Sequence, residues 1–161
     1  MENENEILKS LSRLDSLCAS GYAIALHIRF TTPRFLFQTY SKEWMEMYSE
    51  KGFVLKDPTV LWGFSNTGAV KWSDLQEIDE SGILPLAKEF GLNFGFTFAV
   101  DVNASRSIAS FARDDREFDD TEIQEISEVI QRMHMLTSNI DGFSTNEVQQ
   151  LKEMSVEFTH G

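Results

Sequence analysis

Residues 93–113, NFGFTFAVDVNASRSIASFAR, constrain the fold more than any other stretch, because they read as two strands separated by an NAS turn and the first has two unequal faces. Successive side chains on a strand point to opposite sides. Phe94, Phe96, Phe98 and Val100 therefore crowd one face, while Gly95, Thr97 and Ala99 leave the other nearly bare. The bulky face calls for a covering layer of helices. The bare face admits either a helix packed close or a cavity.

The rest of the chain supplies helices for both sides. Ile7, Leu8, Leu11, Leu14 and Leu17 recur at helical spacing, so residues 4–19 read as an amphipathic helix stopped near Gly21. In YAIALHIRF the period changes: Tyr22, Ile24, Leu26, Ile28 and Phe30 alternate with Ala23, Ala25, His27 and Arg29, a half-covered strand that TTP turns into a second strand, RFLFQTY. Ser41 is a good cap for a helix over about 42–51 ending at Gly52, and Asp57-Pro58 opens another that runs to about Phe64. AVKWSDL reads as a short strand and SGILPLAKEFG as a short helix. Ile123, Ile126, Val129, Ile130, Met133 and Leu136, behind an acidic first turn, mark a long last helix. Without repeated βαβ crossovers, the order predicts an α+β fold with a central antiparallel sheet between helices, and one domain core in 161 residues.

Charge and composition narrow the functions. A net charge of −12 opposes a phosphate backbone, so these residues are not expected to touch nucleic acid. One cysteine, Cys18, fits a reducing compartment, and His27, His134 and His160 offer no metal-ligand spacing. The acidic start MENENEILKS lacks the basic and apolar parts of a signal peptide, and no apolar run approaches a membrane span, so a cytoplasmic protein is expected. There is no G-x-S-x-G elbow, metal cluster or Cys/His pair, hence no nucleophile with an activating base to nominate, and no enzyme or cofactor is expected.

Small residues at Ala23, Ala25, Gly95, Thr97, Ala99 and Ala109, together with polar aromatics on nearby helices, favour a pocket for an apolar ligand with a polar head. Each residue also has a plainer reading. Asp57 before Pro58 serves equally well as a helix cap, and Trp44 and Tyr48 as core aromatics. Trp62 reads as core or pocket wall, and Cys18 and His27 as packing residues.

The spacing goes further. Tyr40, Trp44, Tyr48, Asp57-Pro58 and Trp72, followed by Gly95 opening GFTFAV, resemble the signature of the autoinducer-binding domain of LuxR-type quorum-sensing regulators. The resemblance is close over residues 40–95 and extends in element order over about 5–140. It implies an α-β-α sandwich with a central antiparallel five-stranded sheet, usually dimeric, receiving an N-acyl homoserine lactone. By position, Trp44 would donate to the lactone carbonyl, Asp57 would accept from the amide N–H, and Tyr40 would donate to the amide carbonyl. Tyr48 and Trp72 would pack on the head group and the start of the acyl chain, Gly95 would begin a pocket-lining strand, and Thr59 and Ser110 would supply hydroxyls near the amide or a 3-oxo oxygen. Ala99 departs from the pattern, since many relatives have proline there.

The resemblance also implies two parts: a ligand-binding domain over 1–140, and a linker with the start of a helix-turn-helix DNA-binding domain over 141–161. FSTNEVQQLKEMSVEFTHG matches only the beginning of the second domain, so the expectation is a piece cut just inside it, with DNA bound only through that missing part. The alternative is a short anti-activator that binds another small molecule, or none, and acts by pairing with full-length regulators.

Overall fold

The computed structural model describes residues 2–30 and 32–138. In order these are α1 (Glu2–Leu17), β1 (Gly21–Arg29), β2 (Thr32–Gln38), α2 (Lys42–Glu50), a 3-10 turn (Phe53–Leu55) and α3 (Pro58–Ser65). Then follow β3 (Gly68–Lys71), a 3-10 segment (Trp72–Ile78), α4 (Ile83–Lys88), β4 (Phe94–Val102), β5 (Ser105–Arg113) and α5 (Asp120–Thr137). The five strands form one antiparallel sheet in the order β2-β1-β5-β4-β3. The fold is thus the expected α+β sandwich. The boundary expected near residue 140 and the segment 141–161 lie outside the described residues.

The two faces of the sheet hold different cores. Tyr22, Phe111 and Phe96 lie opposite one another across β1, β5 and β4, as do Ile24, Ala109 and Phe98, and this face packs on α1 and α5. α1 contributes Ile7, Leu11 and Leu14, and α5 contributes Ile126, Ile130 and Met133, all fully buried. A capping box starts α5: the Asp119 side chain accepts from the Glu122 amide, and the Glu122 carboxylate accepts from the Asp119 amide. The opposite face carries α2, α3, α4 and both 3-10 segments around Trp44, Phe53, Trp72 and Leu84.

Four expectations are corrected. Ala109 lies on the bulky face among Ile24 and Phe98, so it is no part of the bare one. The alternation of β1 fails at His27, where a bulge between Ala25 and Ile28 inserts one residue and His27 adopts φ 55°. His27 consequently turns in towards α5, where its ring lies 4.3 Å from that of His134. Phe30 does not continue the strand but sits 90% exposed on the hairpin turn at φ 61°. Finally, Trp72 ends the strand reading of AVKWSDL: β3 stops at Lys71 and Trp72 opens a 3-10 segment that turns its indole back over the sheet.

Candidate functional site

Gly95 and Ser110 lie on the bare face of the sheet, with Tyr40 and Trp72 over them and Trp44 and Tyr48 in the same cluster above. Directly opposed residues of β1, β5 and β4 make three rows there: Gly21, Ala112 and Gly95; Ala23, Ser110 and Thr97; Ala25, Ile108 and Ala99. Every position but Ile108 is glycine, alanine, serine or threonine, so the helices above approach the backbone closely.

Two aromatic side chains lie on the first row. A Cβ at Gly95 would fall 2.5–2.6 Å from the Trp72 indole, which therefore needs glycine beneath it, and a Cβ at Gly21 would meet Tyr40 Cδ1 at 3.0 Å. Both reach the second row by hydrogen bonds. Trp72 Nε1 donates to Thr97 Oγ1 at 3.1 Å, Thr97 Oγ1 and Ser110 Oγ share a bond of 2.7 Å, and the Tyr40 hydroxyl donates to the Ser110 carbonyl at 3.2 Å. Thr97, read from the sequence only as a small residue, is the bridge between Trp72 and Ser110. Its hydroxyl, alone among its β4 neighbours on that face, was the available signal.

Asp57 stands where α3 begins. Its β-region backbone (φ −64°, ψ 120°) makes it the N-cap, and Oδ1 accepts from both the Thr59 amide (2.8 Å) and the Thr59 hydroxyl (2.7 Å). Oδ2 accepts from the Tyr48 hydroxyl at 2.7 Å. The cap reading of Asp57 holds, and while Oδ1 serves the helix, Oδ2 faces α2. Burial pushes the Asp57 carboxyl above its ordinary pKa, against the lowering effect of the Tyr48 and Thr59 hydrogen bonds, with the Asp79 charge adding to the rise. Burial likewise pushes the Tyr40 and Tyr48 phenols up, with the Asp57 charge as the next cause, so both remain donors.

Trp44 is buried in an aromatic cage, with ring centroids 5.8 Å from Tyr48, 6.3 Å from Phe53 and 5.4 Å from Phe90. Its indole N–H has no hydrogen-bond partner among the described residues. Chemically, the cluster offers a free indole donor, a redirectable tyrosine hydroxyl and a carboxylate oxygen, Oδ2, with one lone pair uncommitted by the bonds described. Such a set suits a ligand with carbonyl oxygens and an N–H, and no group of three or more metal-ligating side chains occurs among the described residues. Trp62 packs partly buried against this cluster and borders, with Leu55, Leu61 and Ile78, an open depression on the outer surface.

Two further residues were missed in the sequence. Gly63 of α3 lies on Ile108, where a Cβ would fall 2.7–3.0 Å from that side chain. Arg106 Nη1 donates to the carbonyls of Gly63 and Asn66, each at 2.7 Å, while its Nη2 pairs with Asp101 at 3.1 Å. α3 is therefore held at its start by Asp57 and at its end by Arg106.

Comparison with known proteins agrees with the geometry. A family model described as the autoinducer binding domain matches residues 18–141. The quorum-sensing regulator RhlR of Pseudomonas aeruginosa is 33% identical over 109 residues, 66% of this chain and 45% of that protein. SolR of Ralstonia nicotianae, a transcriptional activator, is 37% identical over 60 residues, 37% of this chain and 25% of that protein. The chain thus spans less than half the length of the relatives it matches. Among solved structures, Escherichia coli SdiA residues 1–171 align with a TM-score of 0.65 at 20% identity over 83% of each chain. The N-acylhomoserine-lactone-dependent factor CepR2 of Burkholderia cenocepacia aligns with a TM-score of 0.56 at 17% identity, covering 86% of this chain and 94% of that one.

Proposed function

We propose that this chain, which belongs to the autoinducer-binding domain family, binds an N-acyl homoserine lactone between the bare face of its sheet and the layer formed by α2, α3 and Trp72. As a member of that family it is a ligand-sensing part of LuxR-type transcription regulators and not an enzyme. The observation that carries the reading is the pairing of a free Trp44 donor with a buried Asp57 acceptor on adjoining elements above an apolar, small-residue sheet face.

In this reading Trp44 donates to the lactone carbonyl and Asp57 Oδ2 accepts the amide N–H beside its bond from Tyr48. Tyr40 swings its hydroxyl from the Ser110 carbonyl to the amide carbonyl. Thr59 keeps Asp57 oriented, and Tyr48 and Trp72, the latter on Gly95, wall the lactone ring. A hydrogen bond to the carboxylate is worth roughly 1.5–3 kcal/mol, and each buried methylene of the acyl chain adds roughly 0.8 kcal/mol. Binding would complete the core between two layers, and so support folding, homodimerisation and the action of a DNA-binding domain beyond these residues.

A second reading keeps the fold and changes the ligand, or dispenses with it, the chain then acting through protein contacts alone. The fold also holds octanoyl-rac-glycerol in SdiA, which aligns with a TM-score of 0.64 at 19% identity over 96% of this chain and 70% of that one. The two readings separate on denaturing extraction of protein purified from cells fed a series of acyl lactones, followed by mass spectrometry. A stoichiometric lactone supports the first, whereas an acylglycerol or no lipid from fed cells supports the second. Among the described residues no helix is long and apolar enough to cross a membrane.

A further inference from the structure

We infer that Ile108, seated under Gly63, is the stop at the end of the acyl lane and restricts this chain to short acyl groups. The inference rests on the lactone reading above and adds to it which residue reads chain length.

The rows on the sheet define the lane. Tyr40, which would hold the amide carbonyl, and Trp72, which would wall the lactone ring, lie over the first row and are bonded to Ser110 and Thr97 of the second. An acyl chain running from the amide along β5 beneath α3 meets the third row, Ala25, Ile108 and Ala99, where the one large apolar side chain of the grid stands in the middle strand. From Ser110 to Ile108 is two residues along β5, only about 6.7 Å.

The helix above cannot make room by shifting. Ile108 fills the gap left by the absent side chain at Gly63, at distances that no Cβ there would tolerate. Two bonds from Arg106 to the carbonyls of Gly63 and Asn66, braced by Asp101, hold the end of α3 down. Bonds from a guanidinium are stronger than those between neutral groups, and the Asp57 cap fixes the other end of the helix. With Ala at 108 the third row would be as bare as the other two.

The test is a titration of the purified 161-residue chain with N-butanoyl, N-octanoyl and N-dodecanoyl homoserine lactone, read as the shift in melting temperature. The wild type should respond to the butanoyl lactone and weakly to the dodecanoyl. Ile108→Ala should gain roughly tenfold in affinity for the octanoyl lactone relative to the butanoyl, the value of about two more seated methylenes. Ile108→Val, which removes one methyl group and is tolerated in most cores, should move the same ratio in the same direction by a smaller factor, and decides the matter if the alanine variant does not fold. A wild type that takes the dodecanoyl lactone as tightly as the butanoyl overturns the inference and leaves the lactone reading standing, as do variants that keep the wild-type octanoyl-to-butanoyl affinity ratio. A wild type that responds to no lactone overturns both.

Discussion

The Tyr48 hydroxyl donates to Asp57 Oδ2 at 2.7 Å, tying the last turn of α2 to the N-cap of α3 across the segment that links them. Because the carboxylate is buried, each of its bonds has a measurable effect on stability. Tyr48→Phe removes that donor and leaves the oxygen unsatisfied. The ligand-free chain should lose about 1–3 kcal/mol in urea unfolding.

Asp57→Asn has two opposed effects. The raised pKa means that burial disfavours the charged form, so this group costs stability above its folded pKa and the cost fades as pH falls through it. The amide removes that cost, and its oxygen still caps Thr59. Equilibrium unfolding near pH 7 should therefore show a ligand-free variant within about 1 kcal/mol of wild type, and the pH-dependence of its stability should lack the Asp57 contribution.

Gly95→Ala places a methyl where the Trp72 indole lies. Trp72 must move, which breaks its bond to Thr97, and overpacking of this kind costs about 1–3 kcal/mol. Thermal unfolding should show the loss, and a shift in tryptophan emission its cause.

His27 and His134 give the chain an acid-sensitive face. Nε2 of His27 lies 3.0 Å from the His134 carbonyl, so it carries the proton, and Nδ1 accepts from Ser105 at 2.6 Å. Burial, then the charge of His134, pushes the His27 pKa down to about 4, and burial lowers that of His134. The unfolded chain therefore binds protons first: the stability these groups contribute is complete above about pH 6.5 and is lost as pH falls through about 4. Melting temperatures between pH 7 and 4 should fall more steeply in wild type than in His27→Asn, which tolerates the positive φ at this bulge.

Much of this was legible in the sequence, and the exceptions share a cause. The alternation of Phe96 and Phe98 with Gly95 and Thr97 depends on one strand alone, and it placed the two layers correctly. His27 escaped because one inserted residue reverses every later side chain, and no composition signal marks the insertion. Ala109 was assigned to the wrong face because the register of β5 against β4 is set by the turn at Asn103 and Ala104, where φ is 57° and 60°. The register of Trp44, Tyr48 and Asp57 identified which residues gather. It did not reveal Thr97 as the bridge, or Gly63 and Arg106 as what seats α3, since those relations join residues 25 to 45 positions apart.

Whether Trp44 and Asp57 hold an acyl homoserine lactone is read most directly by calorimetric titration of the N-butanoyl lactone into wild type, Trp44→Phe and Asp57→Asn. Wild type should show saturable one-to-one binding. Each variant, folded as judged by circular dichroism, should bind at least tenfold more weakly, the equivalent of about 1.4 kcal/mol. Wild-type affinity in either variant would contradict that role.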